Sequence, residues 1–546
     1  MRKFLIAGLL ALTSLALIGV ARNPDIYFLI KKNFTIFSEV YREVSLQYVD
    51  KVDPEKLMRK GINAMLESLD PYTVLVDEAD RQNMEILSRG SYGGVGIEVD
   101  YRGGDIVVVA PIEGYAAHRK GIRSGDVITR VDGVSVKNLM PEQVQELIDG
   151  ELGSTVTMTI ERYGMEEPLT FELERQRIEV KNVAYAGFIS EDKNVGYILL
   201  NRFSKGTADE VRMAIDELSA QKELSGVVLD LRNNPGGLLE EAVATVGKFV
   251  SEGTRVVETR GRFSQHDNVF ATEESPVMPD MPLVVLQNGG SASASEIVAG
   301  ALQDLDRAVI MGEQSFGKGL VQTVRELSYN TALKMTISRY YIPSGRSIQS
   351  VRYTHDDNNS AVMTPDSLRK EFKTRNGRTV YDGNGISPDL IVSDKEPSLL
   401  ETSLLRQNIF FEFANRYAAD NDSLGQPFGA DDLYQQFMRF VDEQPFDYQA
   451  PSENHLVKVD SLLADAGEKS EEHIQELKDI AARKKEQQFI DERPQLEKRL
   501  YLELIARYKG QQGQTAAWLP HDELVNRAVA VLQDENKYNR ILAEIN

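Results

Sequence analysis

Between about residues 33 and 88 the apolar positions recur three and four apart, at Phe37, Val40, Tyr41 and Val44 and then at Leu57, Ile62, Met65, Leu66 and Leu69. That spacing places them on one face of a helix and predicts two or three helices, broken at Asp53-Pro54 and Asp70-Pro71. From about 90 to 175 the period shortens. Val95–Val99, Ile106–Val109, Val127–Val131, Val156–Ile160 and Leu169–Leu173 read as short strands between glycine turns, with one helix over Met140–Asp149. From 180 to 395 apolar strands (Val195–Leu200, Val227–Leu231, Leu283–Leu286) alternate with amphipathic helices (Ala208–Leu218, Leu238–Val250, Ala294–Leu302). Such alternation predicts an α/β layer around a largely parallel sheet. Beyond 400 the pattern is helical to residue 546, as in Leu433, Phe437, Phe440 and Val441, and the Lys-, Glu-, Gln- and Arg-rich stretch from about 458 to 510 reads as solvated helix faces.

Composition narrows the chemistry. The 546 residues carry 62 basic and 84 acidic side chains, a net charge of −22, which disfavours nucleic acid as a partner. No cysteine is present, so disulfides, thiolate catalysis and Cys-ligated metals are excluded. The six histidines, at 118, 266, 355, 455, 473 and 521, include no helical i, i+4 pair. No metal site and no cofactor is expected. Arg2 and Lys3 precede an uncharged run from Phe4 to Ala21, with small residues at Gly19 and Ala21. Residues 1–21 therefore read as a signal peptide or membrane anchor, and the run of 18 residues leaves both open. Either places the remainder outside the cytoplasmic membrane, in the periplasm or another extracytoplasmic space, soluble or tethered by its N-terminus.

Three loops of the α/β region carry candidate chemistry. In Asp230–Gly237 two glycines beside Pro235 follow an apolar strand, an arrangement that forms either an anion cradle or a tight strand-to-helix turn. In Gly289–Glu296 a serine-rich turn opens a helix, where the helix dipole stabilises a developing oxyanion. Ser293-x-x-Glu296 also has the form of a capping box, which needs no catalytic role, and Ser291 or Ser295 is expected to bond locally to the helix start. Gly312–Gly319 nearly matches a phosphate-binding loop, but Gly319 replaces the magnesium-holding Ser or Thr and Leu320–Val324 reads as strand rather than helix. Lys318 between glycines can instead be a desolvated base. Gln322, four residues on, falls on the same face and can orient the amine.

Taken together, LDLRNNPGGLL (229–239), GSASASEIVAGALQD (290–304), GEQSFGKGLVQT (312–323) and YYIPSGRSIQ (340–349) resemble, in order, the carboxyl-terminal processing peptidases, or tail-specific proteases. The resemblance spans roughly residues 35 to 395. It implies a Ser-Lys serine protease with an inserted PDZ domain. Ser293 would be the nucleophile, Lys318 the general base and Gln322 its positioner, with the backbone amides of Gly237 and Ala294 as the oxyanion hole. Tyr92–Ile97 resembles the carboxylate-binding loop of PDZ domains, and GIRSGDVITRVDG (121–133) their later signature. Gly94, Val95, Gly96 and Ile97 would then supply the amides that hold a peptide C-terminus.

The expected organisation is α/β and multi-domain. It comprises an N-terminal helical region (33–88), a β-rich PDZ domain (90–175), an α/β protease core (180–395) with an insertion at 351–381, and a C-terminal helical domain (400–546). The expected function is that of an exported endopeptidase acting on protein substrates through their C-terminal tails. Its N-terminus offers a route to membrane association and its C-terminal helices a route to homo-oligomers. The rivals are a non-catalytic PDZ scaffold, which predicts a missing dyad member, and a nucleotide-binding protein built on GEQSFGKG.

Overall fold

The computed structural model describes residues 26–76, 90–190, 193–353, 361–393, 397–425, 428–448, 450–465 and 471–543. The expected signal peptide or anchor at 1–21 lies outside the described residues, as does part of the 351–381 segment. Among the described residues no helix is long and apolar enough to cross a membrane.

The chain forms two compact units. Of the described residues, the first holds those from Ile26 to Val76 together with Thr323–Thr336 and Tyr353. Its helix α1 (Ile26–Gln47) ends before Asp53, and α2 (Pro54–Glu67) begins with Pro54 at its first position. Proline suits that place because its missing N–H is one the helix start could not use. The Asp53 carboxylate accepts from the Glu55 and Lys56 N–H groups at 3.0 and 3.2 Å, which caps the helix. Asp70 then accepts from the Tyr72 and Thr73 amides at 2.9 and 2.8 Å. The chain leaves that turn as the strand Val74–Val76, paired antiparallel with Ala332–Lys334.

The second unit contains four hydrophobic cores. The β-rich segment forms an antiparallel sheet of β1 (Ile97–Arg102), β2 (Asp105–Pro111), β3 (Val127–Val131), β4 (Thr155–Glu161) and β5 (Leu169–Glu174), in that order, with the helix α3 (Pro141–Ile148) against it. Alternation builds it: in β4, Val156, Met158 and Ile160 are buried while the residues between face outward. Among the described residues the strand β1 is an edge, with β2 on one side and no strand paired to the other.

The central layer comprises β6 (Val183–Ser190), β7 (Lys193–Leu200), β8 (Gly226–Asp230), β9 (Leu283–Gln287), β10 (Val309–Gly312) and β11 (Leu390–Ile391), side by side in that order. β6 runs antiparallel to β7, and the remaining neighbours are parallel. Helices α4 (Thr207–Gln221), α5 (Leu239–Val246) and α6 (Ala294–Asp304) cross over between them. The period of two splits each strand between two layers. Val227, Leu229, Leu283, Val285 and Ile310 pack with those helices, whereas Val228, Val284, Leu286, Val309 and Met311 face the opposite side. Buried on both faces, these strands read as unbroken apolar runs.

The C-terminal region divides between two cores. Helices α7 (Leu399–Arg406), α8 (Ile409–Asp420), α9 (Asp431–Glu443), α10 (Pro451–Asp465), α11 (Glu471–Asp491) and α12 (Arg493–Trp518) include a cluster of Leu404, Phe410, Phe413, Phe437, Leu500 and Leu504. Helices α13 (Glu523–Leu532) and α14 (Glu535–Ala543) instead cover the second face of the central sheet, through Leu524, Val525, Ala528, Val529, Leu532 and Tyr538. The Tyr538 hydroxyl accepts from the Leu283 N–H at 3.0 Å, so the last described helix is bonded to a central strand.

Candidate functional site

Because β8, β9 and β10 are parallel neighbours, the loops leaving their carboxyl ends lie beside one another. That end of an open α/β sheet is where ligands bind. The three loops are those singled out in the sequence, and hydrogen bonds lock them together. Ala292 N–H and Ser295 Oγ both donate to the Asn234 carbonyl, at 3.0 and 2.8 Å. Ser291 Oγ donates to the Leu231 carbonyl at 2.8 Å, and Phe316 N–H to the Ser291 carbonyl at 3.0 Å. Ser295 thus binds the neighbouring loop rather than its own helix start. Ser291 does so while also accepting from the Asn288 N–H of its own loop at 3.0 Å, so the role expected at the helix start passes to the neighbouring loop. Their side chains satisfy buried carbonyls that have no ladder partner.

Ser293 stands at the N-cap of α6 with φ 56° and ψ −112°. A non-glycine residue in that region costs about 1–3 kcal/mol and persists only where its surroundings dictate it. Here they do. The Ser293 N–H donates to Glu296 Oε2 at 2.8 Å, so the Glu296 half of the capping box forms. The Ser293 carbonyl accepts from the Tyr340 hydroxyl at 3.1 Å.

Glu296 does far more than cap. Its carboxylate, wholly buried, also accepts from Lys318 N–H at 2.9 Å on Oε2, and from Ser315 Oγ at 2.6 Å and Gly317 N–H at 2.7 Å on Oε1. The shared oxygen brings the Ser293 and Lys318 main-chain nitrogens within about 6 Å of each other, since each sits at hydrogen-bond length from it. Burial pushes the Glu296 carboxyl up to about 7, against the opposing pull of these four donors. Tyr340 repeats the bridge on the acceptor side, since its hydroxyl contacts both the Ser293 and the Lys318 carbonyl.

The glycine loop after β8 closes on the same point. A methyl group on Gly236 would lie 2.8 Å from the Ala294 nitrogen and 2.9 Å from Ser293 Cβ, so only glycine permits the approach. Phe203 N–H donates to the Gly236 carbonyl and Leu238 N–H to the Phe203 carbonyl, pinning the chain on both sides of Gly237. Among the described residues neither the Gly237 nor the Ala294 N–H has a protein acceptor. The loop is braced from behind by Arg232, which pairs with buried Asp230 at 2.6 Å and with Asp522, the N-cap of α13, at 2.9 Å.

The lysine loop is shaped by the fourth motif. Gly319 N–H donates to Gln349 Oε1 at 2.7 Å, and Ser350 N–H to the Gly317 carbonyl at 2.9 Å. Arg346, itself buried, pairs with Asp304 at the end of α6 at 2.8 Å. The chain after Gly319 is the strand Leu320–Glu326, which bears half-buried Gln322, and not the helix that a phosphate loop requires. Sequence reasoning missed Tyr340 and the full role of Glu296. The tyrosine lies inside a motif already quoted, and a Glu read as a cap gives no hint of distant donors.

The glycine segment of the β-rich domain sits apart from these loops. Gly94 ends the strand Ser91–Gly94, paired with Gln176–Glu179. Val95 is buried in the domain core with its carbonyl bonded to Ala117 N–H, the Gly96 carbonyl accepts from Ile112 N–H, and Ile97 opens β1. Gly96, at φ 77°, leaves room for Tyr115, whose Cβ would lie 2.4 Å from an added methyl. Of the four residues Ile97 lines a broad cleft of about 1710 Å³ that β1 and α3 share with parts of α8 and α12, and none of Ser293, Lys318, Gln322, Gly237 and Ala294 lines it. Asp149, just past α3, would touch a methyl on Gly94 at 2.9 Å, and burial pushes its carboxyl up to about 6.

Comparison with known proteins matches three parts of the chain to family descriptions. Residues 194–358 match the description of peptidase family S41, residues 107–162 that of a PDZ domain, and residues 400–532 that of "Probable PDZ-protease, C-terminal helical domain". The chain is 38% identical over 373 residues to a carboxy-terminal-processing protease of Bartonella bacilliformis, covering 68% of this chain and 84% of that protein. It is 34% identical to the carboxy-terminal processing protease CtpA of Bacillus subtilis, covering 57% of this chain and 66% of that one. A solved structure of a photosystem II D1 C-terminal processing protease shares 30% identity, covering 68% of this chain and 95% of that one, with a TM-score of 0.34.

Proposed function

Because this chain belongs to the carboxy-terminal processing protease family, peptidase family S41, and is a serine-type peptidase with a PDZ domain, we propose that it cleaves by a Ser-Lys acyl-enzyme mechanism. One observation carries the reading: a single Glu296 oxygen receives the main-chain N–H groups of both Ser293 and Lys318. In this mechanism the neutral Lys318 amine takes the Ser293 hydroxyl proton as Oγ bonds to the peptide carbonyl carbon. The N–H groups of Gly237 and Ala294 receive the oxyanion. The ammonium returns its proton to the leaving amine as the C–N bond breaks, and water then hydrolyses the ester, restoring Ser293. Gln322 holds the lysine amine in line.

The substrate enters as a polypeptide C-terminus. Its carboxylate meets the amides of Gly94, Val95, Gly96 and Ile97, and its backbone pairs with the free edge of β1. The cationic start and apolar run of residues 2–21 support export to an extracytoplasmic space. Cleavage of a tailed substrate by wild type, Ser293→Ala and Lys318→Ala chains, with labelling by a serine-directed acylating probe, tests the dyad. Both variants lose cleavage and Ser293→Ala loses labelling. Undiminished cleavage by either one overturns the assignment.

A further inference from the structure

The cleft at β1 has a second wall that the PDZ domain does not supply. Helix α12 is broken at Gly510, whose φ of 64° and ψ of −173° belong to a region open to glycine alone. The break is a reversal. Gln514 Nε2 donates to the Leu502 carbonyl at 2.8 Å, whereas residues twelve apart on a straight helix are separated by about 18 Å. Trp518 likewise returns to Lys498, whose amine sits 4.2 Å from its ring centre. The segment Lys509–Gly513 is therefore the tip of a helical hairpin, and a methyl on Gly513 would collide with Lys509 Cβ at 2.2 Å.

That tip borders the cleft. Lys509, Gln511 and Gln512 line it opposite Ile97, Glu98 and Val99 of β1, and Gln511 Nε2 donates to Glu98 Oε2 at 2.9 Å. The hairpin is anchored just below. Arg507 stacks on Phe411 at 4.2 Å and donates to Ser124 Oγ, while Asn415 of α8 fits against Gly125 so closely that a methyl there would lie 2.1 Å from its Oδ1. Among the described residues no main-chain hydrogen bond joins the tip to β1, so the strand edge stays available while the tip stands over it.

Resting on the peptide-end reading above, we propose that the hairpin tip at Lys509–Gly513 is the outer wall of the substrate-tail site. An extended polypeptide C-terminus added to β1 is then gripped between the PDZ sheet and the helical domain, with Gln511, Gln512 and Lys509 contacting its outward side chains and main chain. The broad cleft that the tip borders holds about 1710 Å³, and with no main-chain bond between tip and β1 among the described residues the tip bounds the strand edge without being paired to it.

The test uses the full chain carrying Ser293→Ala and fluorescein-labelled decapeptides with apolar last residues, as free acids and as C-terminal amides, read by anisotropy. The parent binds the free acids and not the amides. Lys509→Ala/Gln511→Ala/Gln512→Ala weakens that binding about tenfold with an unchanged melting temperature. In the active chain the same triple variant raises KM and leaves kcat unaltered. Absence of carboxylate-dependent binding in the parent overturns the reading and the wall together. Carboxylate-dependent binding that is unchanged or tighter in the triple variant overturns the wall alone.

Discussion

The main-chain N–H groups of Ser293 and Lys318, 25 positions apart in the chain, end on one oxygen of Glu296, at 2.8 and 2.9 Å. A buried carboxylate with four donors is a strong, directional tie, because charge-assisted bonds gain strength away from water. The strained backbone at Ser293 is held by that tie and by Tyr340.

Replacing the carboxylate by its isosteric amide tests the tie. Glu296→Gln turns one acceptor oxygen into a donor that faces N–H groups. We expect kcat to fall about 100-fold with little change in KM, and stability to drop by about 1–3 kcal/mol. Steady-state kinetics and chemical denaturation read the two effects. A kcat within threefold of wild type would show that the loops hold their register without it.

The raised Glu296 carboxyl is expected to move activity and stability in opposite directions with pH. A folded-state value of about 7 against an ordinary 4.5 means its favourable contribution to stability is complete below about 4.5 and is lost as pH rises through about 7. The ionised form accepts from all four donors, so we expect kcat to climb as pH rises through about 7. Denaturation midpoints between pH 5 and 8 should fall less steeply in Glu296→Gln than in wild type, and equal slopes would refute the assignment.

At the proposed carboxylate-binding loop, Asp149 is expected to make peptide capture pH-dependent. Its carboxylate lies against Gly94, and burial raises it to about 6, so above that pH a negative charge opposes the incoming peptide carboxylate. Binding of a free C-terminal peptide should tighten about fivefold from pH 7.5 to 5. In Asp149→Asn it should be tight and flat across that range, as measured by anisotropy.

Arg232 supports the glycine loop through two carboxylates, one of them fully buried. Arg232→Ala strands Asp230 without its counter-charge and should cost about 3–5 kcal/mol, with Arg232→Lys recovering little because lysine lacks the fork that grips Asp230. Asp522→Ala, which loses a helix cap and the second ion pair, should cost about 1–2 kcal/mol. Urea midpoints rank the three.

Ending the chain at Trp518 removes α13 and α14 and uncovers Val228, Val284 and Leu286 on the central sheet. The truncated chain should fail to accumulate in soluble form, whereas Tyr538→Phe, which deletes one hydroxyl bonded to Leu283, should stay folded and lose about 1–3 kcal/mol. Soluble expression and thermal melting distinguish them.

By itself the sequence determined many of the elements and singled out the three loops as candidates. Apolar spacing marked α1 and α2 and their breaks at Asp53-Pro54 and Asp70-Pro71, and alternation marked β3 and β4, because these signals depend on neighbours a few residues away. The four motifs in family order carried the resemblance that pointed to Ser293 and Lys318, while the Gly236-Gly237 turn was legible because such turns need glycine. Only the tertiary structure decided the rest. The antiparallel edge strand β6 and the two-residue β11 carry too short or too mixed a pattern to be read in advance. The bridge of Glu296 and Tyr340 across the loops, the division of the C-terminal helices between two cores, and the return of α12 at Gly510 join residues tens to hundreds of positions apart. No local period encodes such pairings; they arise when parallel strands align their loop ends and when exposed apolar faces find each other in the folded chain.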